Sequence, residues 1–200
     1  MTHDIDDLDT LHALYGTPGR ASLDKVADYV TPLYGRWIAA ARFCILSTVG
    51  PEGTDASPRG DDGPVVTLAD PRTLLLPDWR GNQRLDSLRN IVRDGRVSLM
   101  FMVPGSDNVV RVNGTARLTI DPAILARFED RGRMPACVAV IAVAEVYSQC
   151  ARAIMRADLW GDMPAPDLPS VGDLLAEQDA GFDGSAYDAD WPLRAARTMW

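Results

Sequence analysis

Between Phe43 and Tyr147 the chain is a succession of short apolar runs broken by turns, and this pattern limits the fold more than any other feature. Phe43–Val49 reads as a buried strand that ends at Gly50-Pro51-Glu52-Gly53. The return, Thr54–Asp61, is polar and alternating, and Pro58 bars it from the middle of a ladder, so it is an edge, a bulge or a ligand-facing strand. Val65–Leu68 and Thr73–Pro77 follow around the turn at Asp70-Pro71-Arg72. Arg96–Val103, Val109–Thr119 and Cys137–Tyr147 complete the set. These spacings leave no room for repeated βαβ crossovers. They predict about five to seven antiparallel strands in a small barrel, mainly β with peripheral helices.

The flanks read differently. Residues 1–21 look like a loose arm, with Ser22 placed to cap a helix over Leu23, Val26, Tyr29 and Val30. Pro32 interrupts that helix, and a second helical stretch covers Tyr34–Ala41. Leu85, Leu88, Ile91 and Val92 share one face of a short helix stopped by Asp94-Gly95. Asp121-Pro122 opens another, and Gln149–Leu159 looks helical. After Gly161 the composition turns to Pro, Asp and Gly, with a capping-box-like Ser170-x-x-Asp173 ahead of Val171–Gln178. The expected organisation is an N-terminal helical arm over 1–40, a barrel domain over 41–160 and a C-terminal extension over 161–200 packing on the barrel or on a dimer.

Charge and residue usage exclude several chemistries. The net charge is −8, which suits neither a general nucleic-acid binder nor counterion release. No apolar run approaches the roughly 18 residues of a membrane span. The acidic start, Met1–Asp7, lacks a basic-then-apolar signal, so the expected location is cytoplasmic. His3 and His12 are the only histidines, both in the arm, which disfavours a histidine-based triad or zinc site; no metal is expected. Cys44, Cys137 and Cys150 form no C-x-x-C pair and read as reduced thiols. Lys25 is the only lysine among 20 basic residues. That bias fits bidentate recognition of phosphate or carboxylate, and equally a compositional drift. Chemistry here belongs to a bound cofactor rather than to a protein nucleophile.

Four segments carry unusual polar density: Ser57–Asp61, Pro77–Asn90, Arg111–Gly114 and Gln149–Ala153 followed by Leu159-Trp160. In the second, a Gly81-Asn82 turn runs into a helix, where backbone N–H groups, Arg84, Ser87 and Arg89 can cradle a phosphate monoester. The competing reading is a capped surface helix with solvated arginines. Arg59 is either a cofactor contact or a surface arginine opposite Asp55 or Asp61. Trp79 and Trp160 can stack on a flat heterocycle or simply pack. Cys150 reads first as a small buried residue at a strand–helix junction and second as a reactive thiol. Glycine-rich dinucleotide loops, Walker A and G-x-S-x-G are absent.

The order Asp55-Ala56-Ser57-Pro58-Arg59-Gly60-Asp61, Leu76-Pro77-Asp78-x-x-Gly81-Asn82-x-Arg84-x-Asp86-Ser87-Leu88-x-Asn90-Ile91, Arg96–Phe101, Arg111-Val112-x-Gly114-x-Ala116 and Gln149-Cys150-Ala151-Arg152-Ala153 resembles the pyridoxamine 5′-phosphate oxidase-like flavoproteins, in particular a bacterial subgroup of FMN-dependent members. The resemblance spans about residues 40–160. It implies a split β-barrel that pairs as a homodimer with FMN at the subunit interface. It implies that Arg59 and Gly60 flank the ring and ribityl chain, that Asn82, Arg84 and Ser87 surround the phosphate, and that Gln149 and Arg152 arrive from the partner subunit. Ser57, Asp61, Pro77, Asp78 and Arg111 complete the implied cofactor-binding set. The vitamin-B6 oxidase holds phosphate partly through an Arg-Lys pair; here the matching stretch is longer and has no lysine, and that enzyme's C-terminal Arg/His motif has no clear counterpart. The implied activity is an FMN-dependent oxidoreductase passing a hydride through flavin N5 to or from an unidentified small molecule. The alternatives are a non-catalytic flavin carrier, redox sensor or stress protein, and a heme-handling or deazaflavin-using relative.

Overall fold

The computed structural model describes residues 3–79, 81, 83–130, 132–164 and 166–198. Seven strands form one antiparallel sheet: β1 Phe43–Gly50, β2 Gly53–Gly60, β3 Thr67–Asp70, β4 Thr73–Asp78, β5 Arg96–Met102, β6 Val109–Thr119 and β7 Cys137–Gln149. Their order is β2-β1-β5-β6-β7-β4-β3, which places β2 and β3 at the two edges. Pro58 therefore sits in an edge strand, where its missing N–H costs no central ladder bond. The pattern-based strand at Val65–Leu68 starts two residues later; Val65 and Val66 are instead buried in the approach to β3.

Alternation explains the core. Cys44 and Leu46 of β1, Val97, Leu99 and Phe101 of β5, and Val110 and Val112 of β6 are buried on one face and pack with Ile141 and Val146 of β7. Opposite Asn113 and Gly114 the register skips Ala144, a bulge in β7. A side chain at Gly114 would collide with the Ala142 carbonyl, so only glycine lets β7 pass this close. The opposite face carries the cross-strand row Ile45, Met100, Arg111 and Tyr147.

Helix α4, Asp86–Arg93, crosses β1 near β2 and β6. Ser87 and Ile91 face inward and are buried. The Asn90 side-chain amide donates to Thr48 Oγ1 at 3.1 Å, and any side chain at Gly50 would strike that amide. Helix α3, Pro32–Ala39, is capped by Thr31 with Pro32 at its first turn, so the proline opens the helix rather than interrupting it. The helix expected over Leu23–Val30 with a Ser22 cap does not form: a five-residue helix, α2 Arg20–Asp24, starts earlier with Gly19 at its N-cap and ends just after Leu23, and Ala27 pairs with Val146 as an isolated bridge. The backbone bonds that β7 offers at that point outweigh the helical spacing. In the arm, α1 Leu8–Tyr15 is capped by Asp7 and buries none of its residues. Further helices are α5 Pro122–Leu125, α6 Arg152–Ala157, α7 Val171–Gln178 with the expected capping box from Ser170, and α8 Gly184–Thr198. Among the described residues no helix is long and apolar enough to cross a membrane.

The sheet curls until β2, at one edge, meets β4, the strand next to the other edge. Four strands lie between β2 and β4 in the order, yet Arg59 Nη1 donates to Asp78 Oδ1 at 2.5 Å. One step further, Trp79 Nε1 donates to Asp61 Oδ2 at 3.0 Å. No backbone ladder between β2 and β4 is found among the described residues, so side chains close this seam. Arg59 and Asp78 are only 20% and 17% exposed at the side chain, so each depends on the other to offset lost hydration. Cys44 pairs with Arg59 across β1 and β2, and Cys137 with Asp78 across β7 and β4. Burial pushes the Cys44 thiol up to about 12, against the pull of the Arg59 charge. Burial and then the Asp78 carboxylate raise Cys137.

Three outcomes follow from this packing. Leu99→Ala leaves a cavity beneath three strands and should cost about 3 kcal/mol in urea unfolding. Asp78→Ala strands a buried guanidinium and should cost about 3 kcal/mol, whereas Asp78→Ala with Arg59→Met should recover most of it; equal losses in the single and double variants would show that the pair is not coupled. Cys44 keeps its proton in the folded chain to pH about 12, while the unfolded thiol ionises near 9.0. Its contribution to stability is thus complete below pH 9 and lost as pH climbs towards 12. At about pH 8.5 iodoacetamide should label exposed Cys150 and spare Cys44 until the chain unfolds, as read by mass spectrometry.

Candidate functional site

Asp55, Ser57 and Arg59 alternate along β2 and point to the face that α4 covers, so one strand presents a carboxylate, a hydroxyl and a guanidinium in a line. At the seam end of that line stand Gly60, Asp61, Pro77, Asp78 and Trp79. The sequence pairing of Arg59 with Asp55 or Asp61 is replaced by the bond to Asp78, and Asp61 accepts from Trp79 instead. Pro77 is buried in β4. The Arg59 Nε is buried without an acceptor. A buried donor left open beside a polar strand is a place where an acceptor atom belongs.

At the other end of the line, β2 and α4 enclose a cleft of about 340 Å³ lined by Glu52, Asp55, Arg84, Asp86, Arg89, Asn90 and Arg93, among others. The start of α4 is unusual. Leu85 occupies its N-cap in the left-handed region, φ 63°, and supplies no side-chain cap; Gln83 is also left-handed, φ 62°. Left-handed non-glycine residues are costly and collect at ligand sites. The first N–H groups of α4 therefore face the cleft without a side-chain acceptor from the N-cap, together with the positive end of the helix.

Charges in the cleft are nearly balanced. Arg84 Nε bonds Asp86 Oδ2 at 2.7 Å, and the Asp86 carboxylate holds the Arg84 guanidinium above its ordinary pKa. Arg93 bonds Glu52 and lowers that carboxyl below the usual range. Ser87, 3% exposed, donates its hydroxyl to Asp55 Oδ2 at 2.5 Å. Arg89 lines the same cleft from the next turn of the helix. The arrangement can hold an anion of phosphate size through α4 amides and guanidinium groups.

The structure thus brings together Ser57, Arg59, Gly60, Asp61, Pro77 and Asp78 at the seam and puts Arg84 in the cleft, while Ser87 is buried and hydrogen-bonded to the cleft-lining Asp55. Asn82 lies outside the described residues. Arg111 and Gln149 form a separate group on the other face: the Arg111 guanidinium sits 5.5 Å from the Tyr147 ring centre, and its Nη1 donates to Gln149 Oε1 at 3.5 Å. Arg152 is exposed on α6 beyond the end of β7. Cys150 is exposed, which corrects its reading as a small buried residue: the chain has already left the sheet there. Trp160 Nε1 donates to the Ser106 carbonyl at 2.8 Å. Sequence reasoning missed Asp55 and Arg93 as parts of the cleft. Their signal was register: Asp55 lies two residues before Ser57 on one strand face, and Arg93 lies one turn after Arg89 on α4. A wider hollow of about 530 Å³ between residues 26–29 and Ala144–Glu145 is lined by Asp28 and Glu145 and no cation, which suits an anion poorly.

Comparison with known proteins agrees with this architecture. A crystal structure of a histidine-to-alanine variant of HupZ from Group A Streptococcus matches 60% of this chain and 99% of its own, with 20% identity and a TM-score of 0.50. That likeness is one of fold. General Stress Protein 26 from Bacillus anthracis matches at 16% identity over 57% of this chain and 89% of its own, with a TM-score of 0.42. The FAD binding protein from Mycobacterium smegmatis matches at 14% identity over 62% of this chain and 94% of its own, TM-score 0.41. No curated protein matches the sequence. A family model described as Pyridoxamine 5′-phosphate oxidase matches residues 30–150, the sheet from its first supporting helix to the end of β7. The chain is a split-barrel member of the pyridoxamine 5′-phosphate oxidase family.

Proposed function

We propose that the chain is an FMN-dependent oxidoreductase that holds the cofactor along the inner face of β2, phosphate in the α4 cleft and ring towards the seam. The single observation that carries the reading is the continuity of donors on this line. A helix start without a side-chain N-cap, with Arg84 and Arg89, lies at one end, and the buried, unpartnered Nε of Arg59 at the other. Membership of the family supports a flavin in particular. A bound flavin would supply hydride transfer at N5.

The chain's own residues have defined tasks. The α4 amides and the Arg84 and Arg89 guanidinium groups bind and neutralise the phosphate end. Arg59, held by Asp78, directs its remaining donors at the ring or ribityl oxygens and is kept from turning to water. Ser57 and Gly60 give the strand a small, polar edge against which a flat ring can lie. A hydride acceptor of this kind needs no histidine base, which matches a chain whose only histidines are in the arm.

The row Ile45, Met100, Arg111 and Tyr147 on the outer face supports a homodimer built on that face. In it Gln149 and Arg152 of one protomer would approach the cofactor of the other. We propose a cytoplasmic location with a small-molecule substrate.

The purified protein should be yellow, and acid or heat should release FMN identified by mass spectrometry; a colourless protein that takes up no flavin at excess contradicts the reading. Turnover, as against carriage, requires that NAD(P)H or another reductant bleach the chromophore and that an acceptor restore it. Arg84→Ala should weaken FMN severalfold, a modest effect because the group is exposed, and leave riboflavin unchanged. Equal losses for FMN and riboflavin would remove Arg84 from the phosphate end.

A further inference from the structure

We propose that Asp55 sets how tightly the cleft grips a phosphate ester, by competing with the ester for the one proton of Ser87. The inference rests on the reading of the cleft as the phosphate end of the cofactor site. A serine hydroxyl has a single proton to donate. Here it goes to Asp55 Oδ2 at 2.5 Å, a short bond to a charged acceptor. Ser87 is 3% exposed, so water is poorly placed to take over either half of that bond. An arriving phosphate receives the Ser87 proton only if the carboxylate gives it up.

Asp55 is not free to swing away. It sits in register opposite Thr48 on β1, and Thr48 is itself tied to α4 through Asn90. The carboxylate and the hydroxyl are thus held face to face by two elements that also shape the cleft. Charge adds to the effect. Asp86 bonds Arg84 and Glu52 bonds Arg93, whereas the hydrogen bond described for Asp55 is to a neutral hydroxyl. Its negative charge therefore stands against a phosphate dianion with least local compensation. The consequence is a cleft that favours the phosphate ester over its phosphate-free analogue by less than its arginines allow, and a cofactor that exchanges rather than remaining permanently bound.

The test is fluorescence titration of flavin-free full-length protein with FMN and with riboflavin, for wild type, Asp55→Asn, Ser87→Ala and the double variant. Asp55→Asn should tighten FMN about tenfold and leave riboflavin within about twofold. In the Asp55→Asn background, Ser87→Ala should erase most of the gain, because no hydroxyl then remains to turn to the phosphate. Asp55→Thr, a good strand former, gives the same reading should the asparagine variant fail to unfold cooperatively in urea. FMN binding unchanged or weakened in both Asp55 variants, with riboflavin unaltered, overturns the proposal and leaves the FMN reading standing. Wild type that binds neither flavin, or both equally with no response to Arg84→Ala, overturns the FMN reading and the proposal with it.

Discussion

The half-buried pair of Arg59 and Asp78 is the interaction on which the shape of this molecule depends. Among the described residues no backbone ladder closes this seven-stranded antiparallel sheet on itself. The order of strands leaves β2 and β4 at a distance along the sheet, and two side-chain bonds, Arg59–Asp78 and Trp79–Asp61, bring them together. Ion pairs this sheltered rarely stabilise more than an apolar packing would, and their worth lies in specifying one arrangement. Here the arrangement specified is the curl that turns the inner face of β2 into the wall of a groove.

The groove inherits its chemistry from that constraint. Because Asp78 fixes Arg59 through Nη1, the guanidinium cannot follow its preference for water, and Nε is left buried with a donor unspent. Because α4 must cross β1 to cover Leu46 and Thr48, its start falls beside the same strand, and the chain reaches it through left-handed Gln83 and Leu85. The result in an acidic protein of net charge −8 is a small region where donors are concentrated and each exposed cation is checked by a nearby carboxylate. On the proposed function, such a region would recognise an anion by geometry more than by excess charge.

Much of this was legible in the residues, for physical reasons that differ by element. The strands were readable because a half-buried strand must alternate, and β1 and β5 do so cleanly, while the alternation of β7 changes phase at its bulge. Pro58 disclosed an edge because a proline cannot complete a central ladder. Ser170 and Asp173 disclosed α7 because reciprocal capping needs those two side chains at that spacing. The short helix α4 was readable from its apolar spacing and its stop at Asp94-Gly95, but of the expected face Ile91 is buried whereas Leu85 and Val92 are exposed, and Ser87 takes the other inward position. The bond between Arg59 and Asp78 was not legible, since local pattern says nothing about which strands meet when a sheet curls; the nearer Asp55 and Asp61 were the natural partners on sequence distance alone. Helix α8 was missed because Pro192 and a run of Asp and Gly hide it, and α1 because it buries nothing that would mark a face. The bridge from Ala27 to Val146 replaced an expected helix for a tertiary reason, an available stretch of β7 backbone beside the bulge.

The most direct test of the account is a crystal structure of the protein grown with FMN. The account predicts phosphate within hydrogen-bond distance of the first turn of α4, the ring lying along β2 towards the seam, and a flavin oxygen accepting from Arg59 while Asp78 keeps its bond to the same guanidinium. Flavin seated elsewhere, or Arg59 turned out to solvent with the seam open, would contradict it.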